Sequence, residues 1–263
     1  MAKFQTAERH SAQLITDNVL HQRHMIAYSQ AAKIISGKVL EIGCGEGYGM
    51  SLLAPKSTRY MAIDKFKTVV DPDLPDYDKI RFKQMNVPPF VGIEDASFDY
   101  VVSFQVIEHI QDDDFFSREI FRVLKPGGKL ILTTPNIKMS LTRNPWHIRE
   151  YTHQELKEML ERVFYKVDMN GVFGNDVVME YYNANKASVQ KITRFDVLNL
   201  QYKLPRRVLQ IPYDILNRLN RKKLHKQNNS VSANVKMDDY FIDPANDTCL
   251  DLFVIAQKKK NIE

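Results

Sequence analysis

Four glycines at alternate positions, Gly43, Gly45, Gly47 and Gly49, close the run Val39-Leu-Glu-Ile-Gly-Cys-Gly-Glu-Gly-Tyr-Gly49. An apolar strand pattern leads into them and a helical pattern follows, so the run reads as strand, tight turn, helix. Glycines there let the backbone fold tightly and come close to a ligand. The helix behind them offers N–H groups and a positive dipole end to a carboxylate or phosphate. A tight turn with no ligand is the alternative. Two nucleotide signatures fail on spacing: a dinucleotide fingerprint needs G-x-G-x-x-G, and a phosphate loop needs G-x-x-x-x-G-K-[ST]. Counting from Gly43, the sixth position of both is Tyr48.

The rest of the chain supplies the context such a turn needs. Short apolar segments recur at Lys38–Ile42, Tyr60–Ile63, Ile80–Met85, Phe98–Phe104 and Lys129–Thr133. Amphipathic helical patterns fit Ser51–Leu53, Asp112–Leu124 and Gln154–Phe164. This alternation predicts βαβ units in a mostly parallel sheet. Several strands are continuously apolar, as expected when helices cover both sheet faces. Ala7 to Ile35 contains neither Gly nor Pro and reads as one or two helices. Tyr165–Met169 and Leu250–Gln257 add strands, and the roughly 80 residues between them far exceed a hairpin connection. Those residues predict helices over one end of the sheet. The expected divisions are a helical cover (1–36), a core (37–170), a substrate-covering helical insertion (171–248), and a last strand with a basic tail (249–263).

Composition narrows the function classes. At 263 residues with 44% hydrophobic content, the chain can bury a core without staples, and no apolar run approaches a membrane span. Two cysteines, Cys44 and Cys249, provide neither a disulfide framework nor metal-ligand spacing. The first residues lack the apolar centre of a signal peptide, so a cytoplasmic location is expected. Net charge is +5, yet Gln201–Gln227 carries eight Lys or Arg against Asp214 alone. That segment is a basic amphipathic helix in prospect, with Pro212 in its first turn and Ile215, Leu216 and Leu219 sharing a face. A lid whose apolar side covers the domain is the favoured reading. Contact of residues 204–226 with an anionic membrane, at the inner membrane face, and nucleic-acid binding are the alternatives.

Glu41-Ile-Gly-Cys-Gly-Glu-Gly47 resembles motif I of the class I S-adenosylmethionine-dependent methyltransferases, most closely the type 11 domain. That group includes quinone-pathway enzymes, and the wording is also similar to methyltransferases of cell-surface polysaccharide clusters. The resemblance spans roughly Ile35 to Tyr151. It implies a Rossmann-like, doubly wound α/β sheet of seven strands, parallel except for an antiparallel last strand. It implies S-adenosylmethionine as cofactor, S-adenosylhomocysteine as product, and no metal. Gly43, Cys44, Gly45, Gly47 and Tyr48 would pass along the methionine portion, with Glu41 organising the loop through backbone N–H groups and the bound amino group. Asp64, closing Met61-Ala-Ile-Asp64, would accept both ribose hydroxyls, with Lys65 beside it; a helix-capping role is its plain alternative. Asn86 and Val87 would face the adenine, although the family commonly has Asp at the first position and a polar turn residue is the other reading. Gln105 and Val106 would lie beneath the methyl-donor end, and Glu108-His109 would open the next helix. Pro126-Gly127-Gly128 reads as turn chemistry.

Substrate loops are expected at Thr134-Pro-Asn136 and Asn144–Tyr151. Arg143, Trp146 and Arg149 would form a pocket wall, unless Arg149 pairs with Glu150 on the surface while Trp146 packs. His147 and His109 are the candidate general bases, because histidine titrates near working pH. Methyl transfer needs little covalent help beyond alignment and exclusion of water. The expected acceptor is a small molecule, a sugar or isoprenoid/lipid-type hydroxyl, including a glycan or lipid-linked one. The family's Asn/Asp-Pro-Pro-aromatic run for nucleobase or side-chain amines is replaced here by Ser103-Phe104-Gln105-Val106. Methylation of RNA or protein is therefore the runner-up. A non-catalytic interaction module is a third reading, disfavoured by the intact glycines and Asp64.

Overall fold

A computed structural model describes residues 14–196, 198–227 and 233–261. Five parallel strands come first: β1 (Lys38–Ile42), β2 (Arg59–Asp64), β3 (Ile80–Gln84), β4 (Phe98–Phe104) and β5 (Leu124–Pro135). They are followed by β6 (Lys166–Gly174), β7 (Tyr240–Pro244) and β8 (Asp251–Gln257). The sheet order is β3-β2-β1-β4-β5-β8-β6-β7. β8 runs antiparallel to both β5 and β6, and β7 antiparallel to β6. Among the described residues the sheet therefore has eight strands where seven were expected. The extra one is β7, whose short run Tyr-Phe-Ile is cut off by Asp and Pro, residues depleted in strands. It pairs on one side only, at the sheet edge, where exposed residues are tolerated.

The helices are α1 (Asn18–Ile34), α2 (Met50–Leu53), α3 (Asp113–Val123), α4 (His153–Glu161), α5 (Asp176–Thr193), α6 (Leu200–Lys203) and α7 (Arg206–Gln227). Alternation along the strands sends neighbouring residues to opposite faces. Leu40, Ile42, Val101, Leu130 and Leu132 join one buried cluster with Phe116 and Ile120 of α3 and Leu156 and Leu160 of α4. Val39, Tyr60, Ala62, Val102 and Ile131 join the other with Ile26, Ala27 and Ala31 of α1. Local chemistry sets the helix starts. Asp112 accepts the Phe115 N–H at 2.8 Å, and Thr152 and Glu155 form a reciprocal capping box.

Three expectations need adjusting. Glu108-His109 does not open α3 but sits in a separate turn of 3-10 helix, Ile107–His109, because the capping Asp112 starts the helix later. β6 runs on to Gly174 and β7 follows α7, so the 171–248 stretch is not wholly helical. Pro212 lies inside α7 rather than at its start; the proline before the first turn is Pro205, whose carbonyl accepts the Val208 N–H. An interior proline removes one helical bond. Here Pro212 sits on the exposed side, where water can reach the orphaned carbonyl. The first residues of the expected N-terminal cover, up to residue 13, lie outside the described residues. Among the described residues, no helix is long and apolar enough to cross a membrane.

Candidate active site

Strand order reverses between β1 and β4, which are adjacent although β2 and β3 intervene in sequence. Ligands of open α/β sheets bind outside the carboxyl ends of the strands at such a switch point. The Gly43–Gly49 loop leaves β1 there, and Gln105 and Val106 leave β4 there. The two loops touch: a Cβ built on Gly43 would stand 2.3 Å from Val106 Cγ2. Gly43 also has φ +77°, so both its conformation and its neighbour demand glycine. Gly45 (φ +57°) differs, since a Cβ there would meet nothing within 4 Å. Open space therefore lies directly over its backbone.

Asp64 ends β2 and faces this space half-buried. Its carboxylate accepts the Gly45 N–H at 2.9 Å and the Phe66 N–H at 2.8 Å. Each oxygen keeps a further lone pair for an external hydroxyl. Lys65 is exposed beside it, with its ammonium over the Phe66 ring. Asn86 is exposed just past β3, and Met85 donates to the Asp64 carbonyl at 2.8 Å, which ties the β2 and β3 ends together. Val87 packs against the core.

Three expected contacts take another form. Glu41 is buried and accepts hydroxyl hydrogen bonds from Tyr28 of α1 (2.7 Å) and Tyr60 of β2 (2.5 Å), not from loop N–H groups. Burial raises its carboxyl pKa, and the two hydroxyls oppose that rise. Glu41 thus organises the loop by pinning α1 against the β1–β2 pair beneath it. Cys44 points into the core, its thiol pKa pushed up by burial, so only its backbone can serve the crevice. Tyr48 packs edge-on against Tyr28 and His21. These tertiary partners carry no sequence signature.

Gln105 has φ +56°, a left-handed conformation that costs a non-glycine residue roughly 1–3 kcal/mol and clusters at functional sites. On its far side opens a cavity of about 710 Å³. Gln105, Glu108, His109, His147 and Glu150 line it, together with parts of α1, α5 and α7. The glycine loop and Asp64 do not. Crevice and cavity therefore adjoin at Gln105 and Val106, an arrangement for two ligands meeting end to end.

The cavity wall concentrates ionisable groups. Glu108 is buried, accepts the Thr134 hydroxyl at 2.9 Å, and has its pKa raised by burial against the pull of His109 and His147. His109 Nδ1 lies 3.1 Å from the Trp146 carbonyl, an oxygen that can only accept, so Nδ1 is the donor of this pair. The His109 and His147 rings meet edge-on with centroids 5.0 Å apart. His147 Nδ1 bonds Glu150 Oε1 at 2.6 Å, and Asn144 Nδ2 donates to His147 Nε2 at 2.9 Å. Asn144 cannot turn round, because its Oδ1 accepts the Trp146 N–H. Glu108, His109 and His147 bring donor atoms within 4.8 Å of one another, a grouping that no sequence spacing announced.

The expected substrate wall is only partly assembled. Arg143 lines the cavity, its guanidinium donating to the Gln201 and Tyr202 carbonyls at 2.9 and 3.2 Å. Trp146 and Arg149 do not line it. The Trp146 indole donates to Asp214 of α7 at 3.0 Å. Arg149 pairs with Asp113 at 3.0 Å and lies over the Tyr151 ring, so the surface pair with Glu150 does not form either. Glu150 goes to His147 instead. Sequence reading also missed the roles of Glu150 and Asn144, and the pair of half-buried Arg23 with buried Asp251 (2.9 Å), of which Arg23 reaches the cavity from α1.

A family profile described as "Methyltransferase domain" matches residues 40–132, from β1 through most of β5. A protein of Mycolicibacterium smegmatis, named as a probable S-adenosylmethionine-dependent methyltransferase, is 34% identical over 262 residues, 95% of this chain and 93% of its own length. The chain belongs to the S-adenosylmethionine-dependent methyltransferases. The mitochondrial ubiquinone biosynthesis O-methyltransferase of Bos taurus is 33% identical over 132 residues, but this covers 46% of the chain and 34% of that enzyme. Among solved structures, an S-adenosylmethionine-dependent methyltransferase of Thermotoga maritima aligns over 96% of this chain and 97% of that one, with TM-score 0.55 and 14% identity. This agrees with the Rossmann-like fold. The open space over Gly45 and the Asp64 carboxylate beside it suit the methionine and ribose portions of S-adenosylmethionine, the cofactor of this methyltransferase.

Proposed function

We propose that this methyltransferase acts on a hydroxyl of a small amphipathic acceptor, a sugar or isoprenoid/lipid-type molecule. Residues of the Gly43–Gly47 loop, Asp64, Asn86 and Val87 would hold S-adenosylmethionine, with the donor end toward Gln105. The cofactor supplies an electrophilic methyl group. What remains for the chain is to orient a nucleophile, exclude water and accept one proton.

The observation that carries this reading is the contact of His109 Nδ1 with the Trp146 carbonyl, in the cavity wall next to Gln105. With Nδ1 donating to the Trp146 carbonyl, Nε2 would be the atom that takes a hydroxyl proton. His147, the other candidate base, has its two nitrogens engaged by Glu150 and Asn144 and serves better to position His109. In its ionised form Glu108 would stabilise the imidazolium formed at His109. A proton acceptor set this way suits an alcohol, which needs a base as the methyl arrives. An amine or carbanion needs mainly orientation. The mixed lining, with Asn136, Asn144, Asn185 and Asn217 among aliphatic and aromatic groups, suits an acceptor with hydroxyls and an apolar part. Its volume lies within the usual range for small-molecule sites.

The test is product mass analysis after incubating the protein and S-adenosylmethionine with glycans and prenylated phenols. An O-methyl product is expected. His109→Asn should lower kcat by about 10²–10⁴-fold while leaving S-adenosylhomocysteine affinity within a few-fold. Methylation found only on nitrogen, or full activity in that variant, overturns the reading.

A further inference from the structure

The outer face of α7 (Arg206–Gln227) is apolar along its middle and basic along its edges. Val208, Ile211, Ile215 and Leu219 are 57%, 70%, 52% and 58% exposed. At 3.6 residues per turn these four form one stripe. The lid reading had put Ile215, Leu216 and Leu219 against the domain; all three are exposed. Leu216 alone of the three also reaches the cavity; the rest of what α7 turns inward is a different set, with Leu209, Tyr213, Asn217 and Asn220 lining the cavity and Arg221 paired with the buried Asp17 at 3.0 Å. The outward orientation is therefore fixed by specific inner contacts.

Arg207 and Arg218 flank the stripe on one edge and Lys223 on the other, with Lys222 toward its C-terminal end, and all four are exposed. The single acid of the helix, Asp214, is held inward by the Trp146 indole. An exposed aliphatic stripe rimmed by cations marks an interaction surface. It also has the composition of a helix lying in the interface of an anionic bilayer. Pairing with a second copy would set one basic rim against another, since a two-fold contact uses the same patch twice. An acidic lipid surface meets both features at once.

The stripe also adjoins the cavity mouth. Phe195, Leu200, Pro212 and Leu216 are exposed yet line that cavity. We infer that α7 docks this methyltransferase onto the surface of an anionic membrane, with the cavity mouth at the lipid boundary. The inference does not depend on which atom is methylated.

The experiment is sedimentation of the full-length protein with vesicles of phosphatidylcholine alone and of phosphatidylcholine mixed with phosphatidylglycerol. Binding should need the anionic lipid and weaken with salt, because charge attraction is screened. Arg218→Gln with Lys222→Gln should weaken binding about 25-fold, at roughly fivefold per basic residue. Ile211→Ser with Ile215→Ser should weaken it more than tenfold. Neither pair touches the cofactor crevice, so calorimetric S-adenosylhomocysteine binding, unchanged in both, shows that the variants are folded. No sedimentation of wild type with anionic vesicles at low salt overturns the inference, as does equal binding by the variants. Concentration-dependent dimers that the serine variants abolish, without lipid binding, would show that the face pairs with a second copy instead.

Discussion

The sharpest prediction concerns Gly43. Replacing it with alanine places a methyl group 2.3 Å from Val106 Cγ2, well inside contact distance, on a backbone at φ +77°. The left-handed conformation costs an L-residue about 1–2 kcal/mol. Forcing a methyl into an occupied position adds about 1–3 kcal/mol. Gly43→Ala should therefore destabilise by about 2–5 kcal/mol. Val106→Ala alone removes two methyl groups from a half-buried side chain, at about 1–2 kcal/mol. In the double variant the added methyl at position 43 faces the Cβ at position 106 across 3.7 Å, an ordinary contact, so the steric part disappears and only the conformational part persists. The double variant should be more stable than the sum of the singles by about 1–3 kcal/mol. Urea titration followed by circular dichroism reads this as a shift in midpoint at constant slope. Gly45→Ala is the internal control. Its methyl meets no protein atom within 4 Å, so it should cost only the conformational strain while lowering S-adenosylhomocysteine affinity by occupying the crevice. If Gly43→Ala and Val106→Ala add within about 0.5 kcal/mol, the two loops do not touch as described and the crevice is wrongly built.

Single carboxylates carry two further predictions. Asp64→Ala should weaken S-adenosylhomocysteine binding about 10- to 150-fold in calorimetry, the loss expected when charge-assisted hydrogen bonds are removed, and an unchanged Kd would remove Asp64 from the cofactor site. Glu108 has its folded pKa raised by burial, so the native state favours the protonated form. Its contribution is largest below the ordinary carboxylate pKa and is lost as pH rises through the raised value. Glu108→Gln cannot ionise. Its stability relative to wild type should therefore increase as pH rises above the ordinary carboxylate range, and urea midpoints that stay parallel there would refute the shift.

Legibility from sequence followed the range of the interactions. The strand-turn-helix at Gly43–Gly49 was readable because glycine spacing and strand pattern act over a few residues. Asp64 was readable because it closes a strand a short way downstream. The same local logic misled at Pro212, where one proline looked like a helix start while Pro205 already supplied it. It also missed β7, whose residues become a strand only because the edge of β6 is there to pair with them.

The primary structure alone determined the parallel α/β core, the glycine crevice and its carboxylate, since each rests on residue type and short spacing. Only the tertiary structure decided how the two imidazoles are held, His109 by the Trp146 carbonyl and His147 by Asn144 and Glu150. It likewise turned the aliphatic side of α7 to the outside. A helical pattern defines two faces but not which one meets the domain; contacts such as Arg221 with Asp17 and Trp146 with Asp214, made across long stretches of chain, settle that.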